Sequence, residues 1–213
     1  VIDGAEIISA DSRQVYKGMD IGTGKDLSEY GDVPYHLIDI LPAGAQYNVF
    51  QYQQDFRRVW ADIRSRHMVP ILCGGTGMYI NAVTAGYDFS SKSALSAERG
   101  PSLAEGLPQH PYFIGTLVSR EVRNERIDRR LDVRLKEGMV EEIQGLLDSG
   151  VPAETLISYG LEYKFVTLYL LGQLNYGQMR ERLAIAIHQF AKRQMTWFRG
   201  MERSGARIHW VEV

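Results

Sequence analysis

The chain has 213 residues, 45% of them hydrophobic and 23% charged, with a formal net charge of −2. That suits one sizeable soluble domain, or one domain with a small insertion, and it excludes a globally basic nucleic-acid binder, so any contact with a polyanion must come from a local patch. A single cysteine, Cys73, excludes a disulfide framework and fits a reducing compartment, and no run of ~18 apolar residues is present to span a membrane.

The first expected element is a strand over residues 6–10 (EIISA), nearly continuous in apolar residues, as a strand covered on both faces should be. Asp11, Ser12, Arg13 and Gln14 follow it directly. A carboxylate at a strand's carboxyl end can serve as a general base or hold magnesium, and Asp11 is equally placed to cap a following helix. Arg13 and Gln14 can hydrogen-bond a base or a phosphate. Residues 18–26 (GMDIGTGKD) look at first like a phosphate loop. The pattern G-x-x-x-x-G-K-[ST] fails, because Met19 stands at its first glycine and Asp26 at its hydroxyl position. Lys25 is therefore not assigned a phosphate.

A strand over 35–41 (YHLIDIL) comes next, then an amphipathic helix over 49–67 with Phe56, Val59, Trp60 and Ile63 on one side. A strand over 69–73 (VPILC) runs into Gly74, Gly75 and Thr76. Glycines there let a backbone or a ligand approach closely. Thr76 either hydrogen-bonds within that crevice or caps the next helix. Residues 89–110 are rich in Ser, Gly and Pro with weak periodicity, and read as a linker or the remnant of an insertion.

A strand over 112–118 (YFIGTLV) leads into a long helix expected over 119–148. Arg120 stands at its start, where a helix N-terminus favours anions. Arg123, Arg130 and Arg134 fall within roughly 40° of one another at helical spacing. The basic residues occupy this helix's first half and Glu137, Glu141 and Glu142 its second, which opposes the macrodipole. Two readings stay open: a solvated face with Arg134 beside Glu137 and Asp132, or an anionic partner near the first turns. The C-terminal third reads as helical over part of 154–171 and over 176–199, with a last strand over 207–213. Residues 188–200 (HQFAKRQMTWFRG) interleave Lys192, Arg193 and Arg199 with aromatics, and Arg182, Gln189 and Arg193 share a stripe. That suits nucleic-acid backbone contact plus stacking, or a core helix whose aromatics turn inward. The five histidines are scattered without metal-ligand spacing, so no zinc site is expected. Strands alternating with helices argue for an α/β fold with a mainly parallel sheet, whose ligands sit at strand carboxyl ends.

Taken together, IISADSRQVYKGMDIGTGK, YHLIDI, VPILCGGTGMYI and AKRQMTWFRG closely resemble the tRNA dimethylallyltransferases, also called tRNA isopentenyl transferases. The motifs keep the family's order and span nearly the whole chain. The resemblance implies a P-loop-NTPase-like α/β fold: a mainly parallel sheet flanked by helices, with residues 1–88 and 111–213 as catalytic core and 89–110 in place of a larger helical insertion. It implies transfer of a dimethylallyl group from dimethylallyl diphosphate to N6 of the adenosine 3′ of the anticodon. By the same resemblance Asp11 is the general base and Arg120 holds the diphosphate. Ser12, Arg13, Gln14 and Thr76 contact the tRNA, as Lys192 and Arg193 are expected to, and Gly74 and Gly75 form the crevice backbone.

The family's phosphate loop, G-P-T-x-[ST]-G-K-[ST], does not occur in this chain, which opens on VIDGAEIISAD, and it is expected upstream of residue 1. Mg²⁺ is implied as cofactor, with no residue here assigned to it. A second departure is Gly160-Leu161-Glu162, where the family commonly has a Gly-Tyr pair before the acidic residue. The expected partners are a tRNA anticodon stem-loop and dimethylallyl diphosphate, with no membrane, for a cytoplasmic monomer. The competing readings are an adenylate isopentenyltransferase, a P-loop small-molecule kinase, and a non-catalytic tRNA-binding protein.

Overall fold

The computed structural model describes residues 3–85 and 106–213. Of the expected linker or insertion remnant at 89–110, residues 89–105 lie outside the described residues. In chain order the strands are β1 (Ala5–Ser9), β2 (Tyr16–Lys17), β3 (Tyr35–His36), β4 (Leu41–Pro42), β5 (Val69–Cys73), β6 (Phe113–Leu117) and β7 (Ile208–Glu212). The helices are α1 (Val49–Ser65), α2 (Gly77–Thr84), α3 (Arg120–Lys136), α4 (Met139–Asp148), α5 (Ala153–Tyr159), α6 (Leu161–Leu170) and α7 (Tyr176–Arg203). Every strand pairing among the described residues is parallel, as the apolar runs separated by helices require. The chain forms two compact units.

The first unit takes the described residues within Val1–Val15, Leu27–Ile40 and Gln46–Pro111. Its sheet has the order β3-β1-β5, with Ile7 opposite Tyr35 and Ala5–Ser9 in step with Val69–Cys73. Helix α1 starts at a capping box, in which Asn48 and Gln51 exchange side-chain and backbone hydrogen bonds. It buries Tyr52, Phe56 and Ile63, and Tyr52 stacks on Tyr79 of α2 with centroids 3.9 Å apart. His67, at a φ of 61°, follows α1 and turns the chain into β5.

Glu6 on β1 is 1% exposed, yet charged. It is held by an ion pair with Arg66 at the end of α1 and by a hydrogen bond with His36 Nε2 on β3 at 2.7 Å. The Arg66 guanidinium, aided by His36 and opposed by burial, holds the Glu6 carboxyl down to about 2.

The expected strand over 35–41 is cut to two residues. Leu37 and Asp39 adopt φ values of 62° and 55°, and the Asp39 and Ile40 amides donate to the carbonyls of Gln14 and Val15 at 3.0 and 2.9 Å. The chain resumes as β4 in the second unit, which takes Tyr16–Asp26, Leu41–Ala45 and Tyr112–Val213. There β2 pairs β4 and β6 pairs β7, while Leu131, Met139, Ile143, Leu156, Tyr163, Val166, Met179 and Leu183 form the core beneath the helices.

The single helix expected over 119–148 is two helices, because Gly138 sits at a φ of 105°, which the α conformation cannot accommodate. The break reverses the charge reading. Arg134 and Lys136 lie in the last turn of α3, and Glu141 and Glu142 in the first turn of α4, both favourable to the dipoles. The argument for an anionic partner from opposed polarity therefore falls. Arg134 is paired with neither Glu137 nor Asp132; it donates to Ile21 O at 3.0 Å and to Asp26 at 2.5 Å. Gly160 likewise divides 154–171 into α5 and α6.

Residues 18–26 do form an anion-binding loop, and its anion is the protein's own. Glu142 accepts from the amides of Asp20, Ile21 and Gly22 at 2.8, 2.6 and 3.1 Å, and from the Tyr163 hydroxyl at 2.9 Å. Successive amides aimed at one carboxylate are a nest. Lys25, the apparent phosphate lysine, is 2% exposed and donates to Tyr16 O and Asp20 Oδ1 at 2.8 and 2.6 Å.

Two stability outcomes follow from these carboxylates. Glu142→Ala strips the nest of its acceptor and should lower the unfolding free energy by about 2–3 kcal/mol, read by urea denaturation. Glu6 has a folded value below its ordinary 4.5, so its contribution is complete above that pH and lost as the pH falls toward about 2. Glu6→Gln should lower the melting temperature at neutral pH and flatten its fall between about pH 5 and 2. A melting curve unchanged across that range would place the acid sensitivity in other groups.

Candidate functional site

The site forms where β1 and β5 end side by side in the first unit. Ala10 N donates to Cys73 O at 2.7 Å, extending the ladder by one step, and Thr76 N then donates to Ala10 O at 3.0 Å. Between these bonds the backbones nearly touch. A Cβ on Gly74 would lie 2.5 Å from the Ala10 carbonyl carbon and 2.6 Å from its oxygen. The position accepts no side chain, which is the close approach the glycine pair was expected to allow. Gly75 continues the turn into α2.

Thr76 occupies the N-cap of α2, but its side chain caps nothing in that helix. Its Oγ1 accepts from Ser12 N at 3.0 Å. The crevice reading of Thr76 holds and the capping reading does not, because the Ser12 amide claims the hydroxyl. Asp11 is no helix cap either, since the residues that follow it, 12–15, form turns rather than a helix. Its Oδ1 accepts from Arg13 N at 2.7 Å, and the Gln14 amide also hydrogen-bonds the carboxylate, as in an Asx turn. Burial pushes the Asp11 carboxyl above the usual carboxylate range, against the opposing pull of those two amides and of the Arg13 charge.

Ser9 and Tyr52 belong to this arrangement and were not anticipated from sequence. Ser9 Oγ accepts from Asp11 N at 3.2 Å and donates to Gln14 Oε1 at 2.9 Å. Tyr52 of α1 donates to Ser9 O at 3.0 Å. A hydroxyl inside the apolar run EIISA was the available signal for Ser9; Tyr52 carried none beyond its place on the buried face of a helix.

The structure thus brings together Asp11, Ser12, Arg13, Gln14, Gly74, Gly75 and Thr76. Arg120, Lys192 and Arg193 belong to the second unit. Arg120 is the first residue of α3, after Ser119, whose hydroxyl accepts from Val122 N at 3.2 Å, and it is exposed. On α7, Lys192 and Arg193 are exposed together with Arg182 and Gln189, and the Arg193 guanidinium lies 6.0 Å from the Phe190 ring centroid. Trp197 remains 43% exposed, so the aromatics of this helix do not all turn inward. A different face of α7 meets α3, where Arg180 pairs Asp132 at 2.7 Å and His188 lies 2.9 Å from Asp128.

Among the described residues no group of three or more His, Cys, Asp or Glu side chains could hold a metal ion, and no helix is long and apolar enough to cross a membrane. What the first unit offers is a carboxylate of raised proton affinity at a strand's carboxyl end, with an arginine and a carboxamide beside it. Such a group can take a proton from a nitrogen held against it.

The family model described as IPP transferase matches residues 14–109 and 90–201. The chain is 49% identical to tRNA dimethylallyltransferase 1 of Porphyromonas gingivalis over 260 residues, covering 99% of this chain and 86% of that protein. It is 47% identical to tRNA dimethylallyltransferase 1 of Parabacteroides distasonis, over 98% of this chain and 84% of the relative. The crystal structure of the full-length tRNA isopentenylpyrophosphate transferase from Bacillus halodurans superposes with a TM-score of 0.82 at 28% identity, covering 98% of this chain and 81% of that one. These likenesses agree with the expected P-loop-NTPase-like α/β architecture.

The contact at Gly74 gives a direct test of the site's construction. Gly74→Ala must push the β5–α2 turn off Ala10, at about 1–3 kcal/mol of stability, and should break the Thr76–Ser12 hydrogen bond with it. Thermal unfolding reads the first effect, and loss of protection of the Ser12 amide in hydrogen exchange reads the second.

Proposed function

The chain belongs to the IPP transferase family, and on that premise we propose that it transfers a dimethylallyl group from dimethylallyl diphosphate to N6 of the adenosine 3′-adjacent to the anticodon in tRNA, releasing diphosphate. The observation that carries the residue-level reading is the Asp11 carboxylate, fixed in an Asx turn at the end of β1 with its proton affinity raised by burial.

The reaction asks little covalent chemistry of the protein. The N6 lone pair forms a bond to the terminal allylic carbon as the carbon–oxygen bond breaks, and that electron pair leaves with the diphosphate. The proton released from N6 goes to the Asp11 carboxylate. An exocyclic adenine amine is a poor nucleophile, because its lone pair is delocalised into the ring, so positioning and proton acceptance are the useful contributions. Ser12, Arg13, Gln14 and Thr76 surround the target nucleotide, which leaves its stack more cheaply in a loop than in a duplex. Arg120, exposed at the first turn of α3, supplies a guanidinium for the departing diphosphate, and Lys192 and Arg193 on α7 supply cations for the tRNA backbone.

Mg²⁺ is kept in the proposal as a companion of the diphosphate. The described residues do not themselves build its site, and no step is routed through it. The protein is taken to act as a monomer, and in the cytoplasm, the latter in keeping with its single cysteine.

The test is an assay with radiolabelled dimethylallyl diphosphate and either tRNA or AMP as acceptor. Label on tRNA supports the proposal; preference for AMP overturns the acceptor, and phosphoryl transfer without prenyl transfer overturns the reaction. Asp11→Asn keeps an acceptor for the turn amides and loses the base. It should reduce kcat by on the order of 10²–10⁴ while leaving tRNA affinity within a few-fold. Equal losses of rate and affinity would make Asp11 a structural group.

A further inference from the structure

We propose that Ser9 is a positioning residue for the turn that carries Asp11, acting through both ends of that turn and touching no substrate; this rests on the tRNA dimethylallyl transfer proposed above. Ser9 is 2% exposed and ends β1. Its hydroxyl has two partners, and they lie on either side of the turn. The Asp11 amide donates to Oγ at 3.2 Å, and Oγ donates to the Gln14 side-chain oxygen at 2.9 Å.

Because the oxygen already accepts from Asp11, its hydrogen is directed to Gln14, and the Gln14 carboxamide is turned with its oxygen toward β1. One buried hydroxyl therefore sets where Asp11 begins and which way the Gln14 amide points. The carboxylate of Asp11 then closes the turn over the amides of Arg13 and Gln14. Ser9 is itself pinned, since its carbonyl accepts from Tyr52 at 3.0 Å and its Cα is in register with Cys73. The anchor is thus set by the strand and by α1, and the turn takes its position from the anchor.

A hydroxyl in such a place could serve stability alone, by satisfying two buried groups at about 1 kcal/mol each. The two roles separate experimentally. In the full chain, Ser9→Ala should lower kcat for tRNA prenylation by on the order of 10–100-fold, with tRNA affinity within about twofold, because misplacing a reacting group costs rate more than binding. The Asp11 amide should lose its protection and exchange at least about tenfold faster. In a Gln14→Ala background the same substitution should cost clearly less in kcat, because one of the two ends Ser9 acts through is already gone.

A lowered melting temperature with kcat unchanged overturns the proposal, as does full additivity with Gln14→Ala. If the wild-type chain prenylates no tRNA, it is the functional reading that fails. Amide exchange then decides for Ser9, and an Asp11 amide equally protected in Ser9→Ala overturns the positioning role regardless of activity.

Discussion

The carbonyl oxygen of Ala10 is the point on which the candidate site is built. It accepts from Thr76 N at 3.0 Å, and it sits so close beneath Gly74 that a Cβ there would come within 2.6 Å. Because residue 74 has no side chain, the β5–α2 turn lies directly against the end of β1, and the Thr76 hydroxyl reaches Ser12. The consequence is that four successive amides, from Asp11 to Gln14, all have partners. The amide of Asp11 goes to Ser9, that of Ser12 to Thr76, and those of Arg13 and Gln14 to the Asp11 carboxylate. Buried amides left without partners cost as much as a lost hydrogen bond, so this closure holds the turn in one conformation. It also means that a ligand is met by side chains there, not by a cradle of free amides.

The loop at 18–26 solves the opposite problem with the same groups. Its successive amides converge as they would on a phosphate, and the Glu142 carboxylate fills the place. The lysine that makes the stretch look like a nucleotide site is folded inward onto Asp20 and Tyr16 O. Burying a lysine is costly unless its charge is paired and its donors are used, and here both conditions are met. An anion-binding loop and a structural staple are thus the same backbone device, distinguished by whether the anion belongs to the protein.

Much of this was legible in sequence. The failed spacing of the phosphate motif showed that Lys25 is no phosphate ligand, and the apolar runs located β1, β5, β6 and β7 within a residue or two, although among the described residues only β1 is covered on both faces, while β5, β6 and β7 leave Val69, Ile71, Ile114 and Val211 exposed. Asp11 through Gln14 and Gly74 through Thr76 stood out as polar and glycine-rich ends of such runs. What sequence could not show is which local partner wins. Asp11 and Thr76 both have the chemistry of helix caps, and both give their oxygens to the neighbouring turn. The helix expected over 119–148 kept its apolar spacing across Gly138, so periodicity alone could not reveal the break, although the glycine itself was the clue. The strand expected over 35–41 had the right composition, but Leu37 and Asp39 turn the chain out of it, and the amides of Asp39 and Ile40 pair with the carbonyls of Gln14 and Val15. For Thr76 and for the strand after His36 a long-range hydrogen bond overrode a local preference worth ~1 kcal/mol or less, whereas Asp11 closes on its own turn and the helix breaks at the glycine's backbone conformation.

The environment of Asp11 contains two opposed influences, and the proposed reaction explains why both are tolerable. Its two amide donors stabilise the carboxylate and make it a weaker base, while burial destabilises the same charge and makes it a stronger one, with burial prevailing. The adenine amine holds its protons tightly until the new carbon–nitrogen bond forms, and once that nitrogen carries four substituents it becomes strongly acidic. A carboxylate held within hydrogen-bonding reach can accept the proton at that moment. The demand on Asp11 is therefore geometric more than electrostatic, which is why so many of the surrounding hydrogen bonds act on the position of this turn.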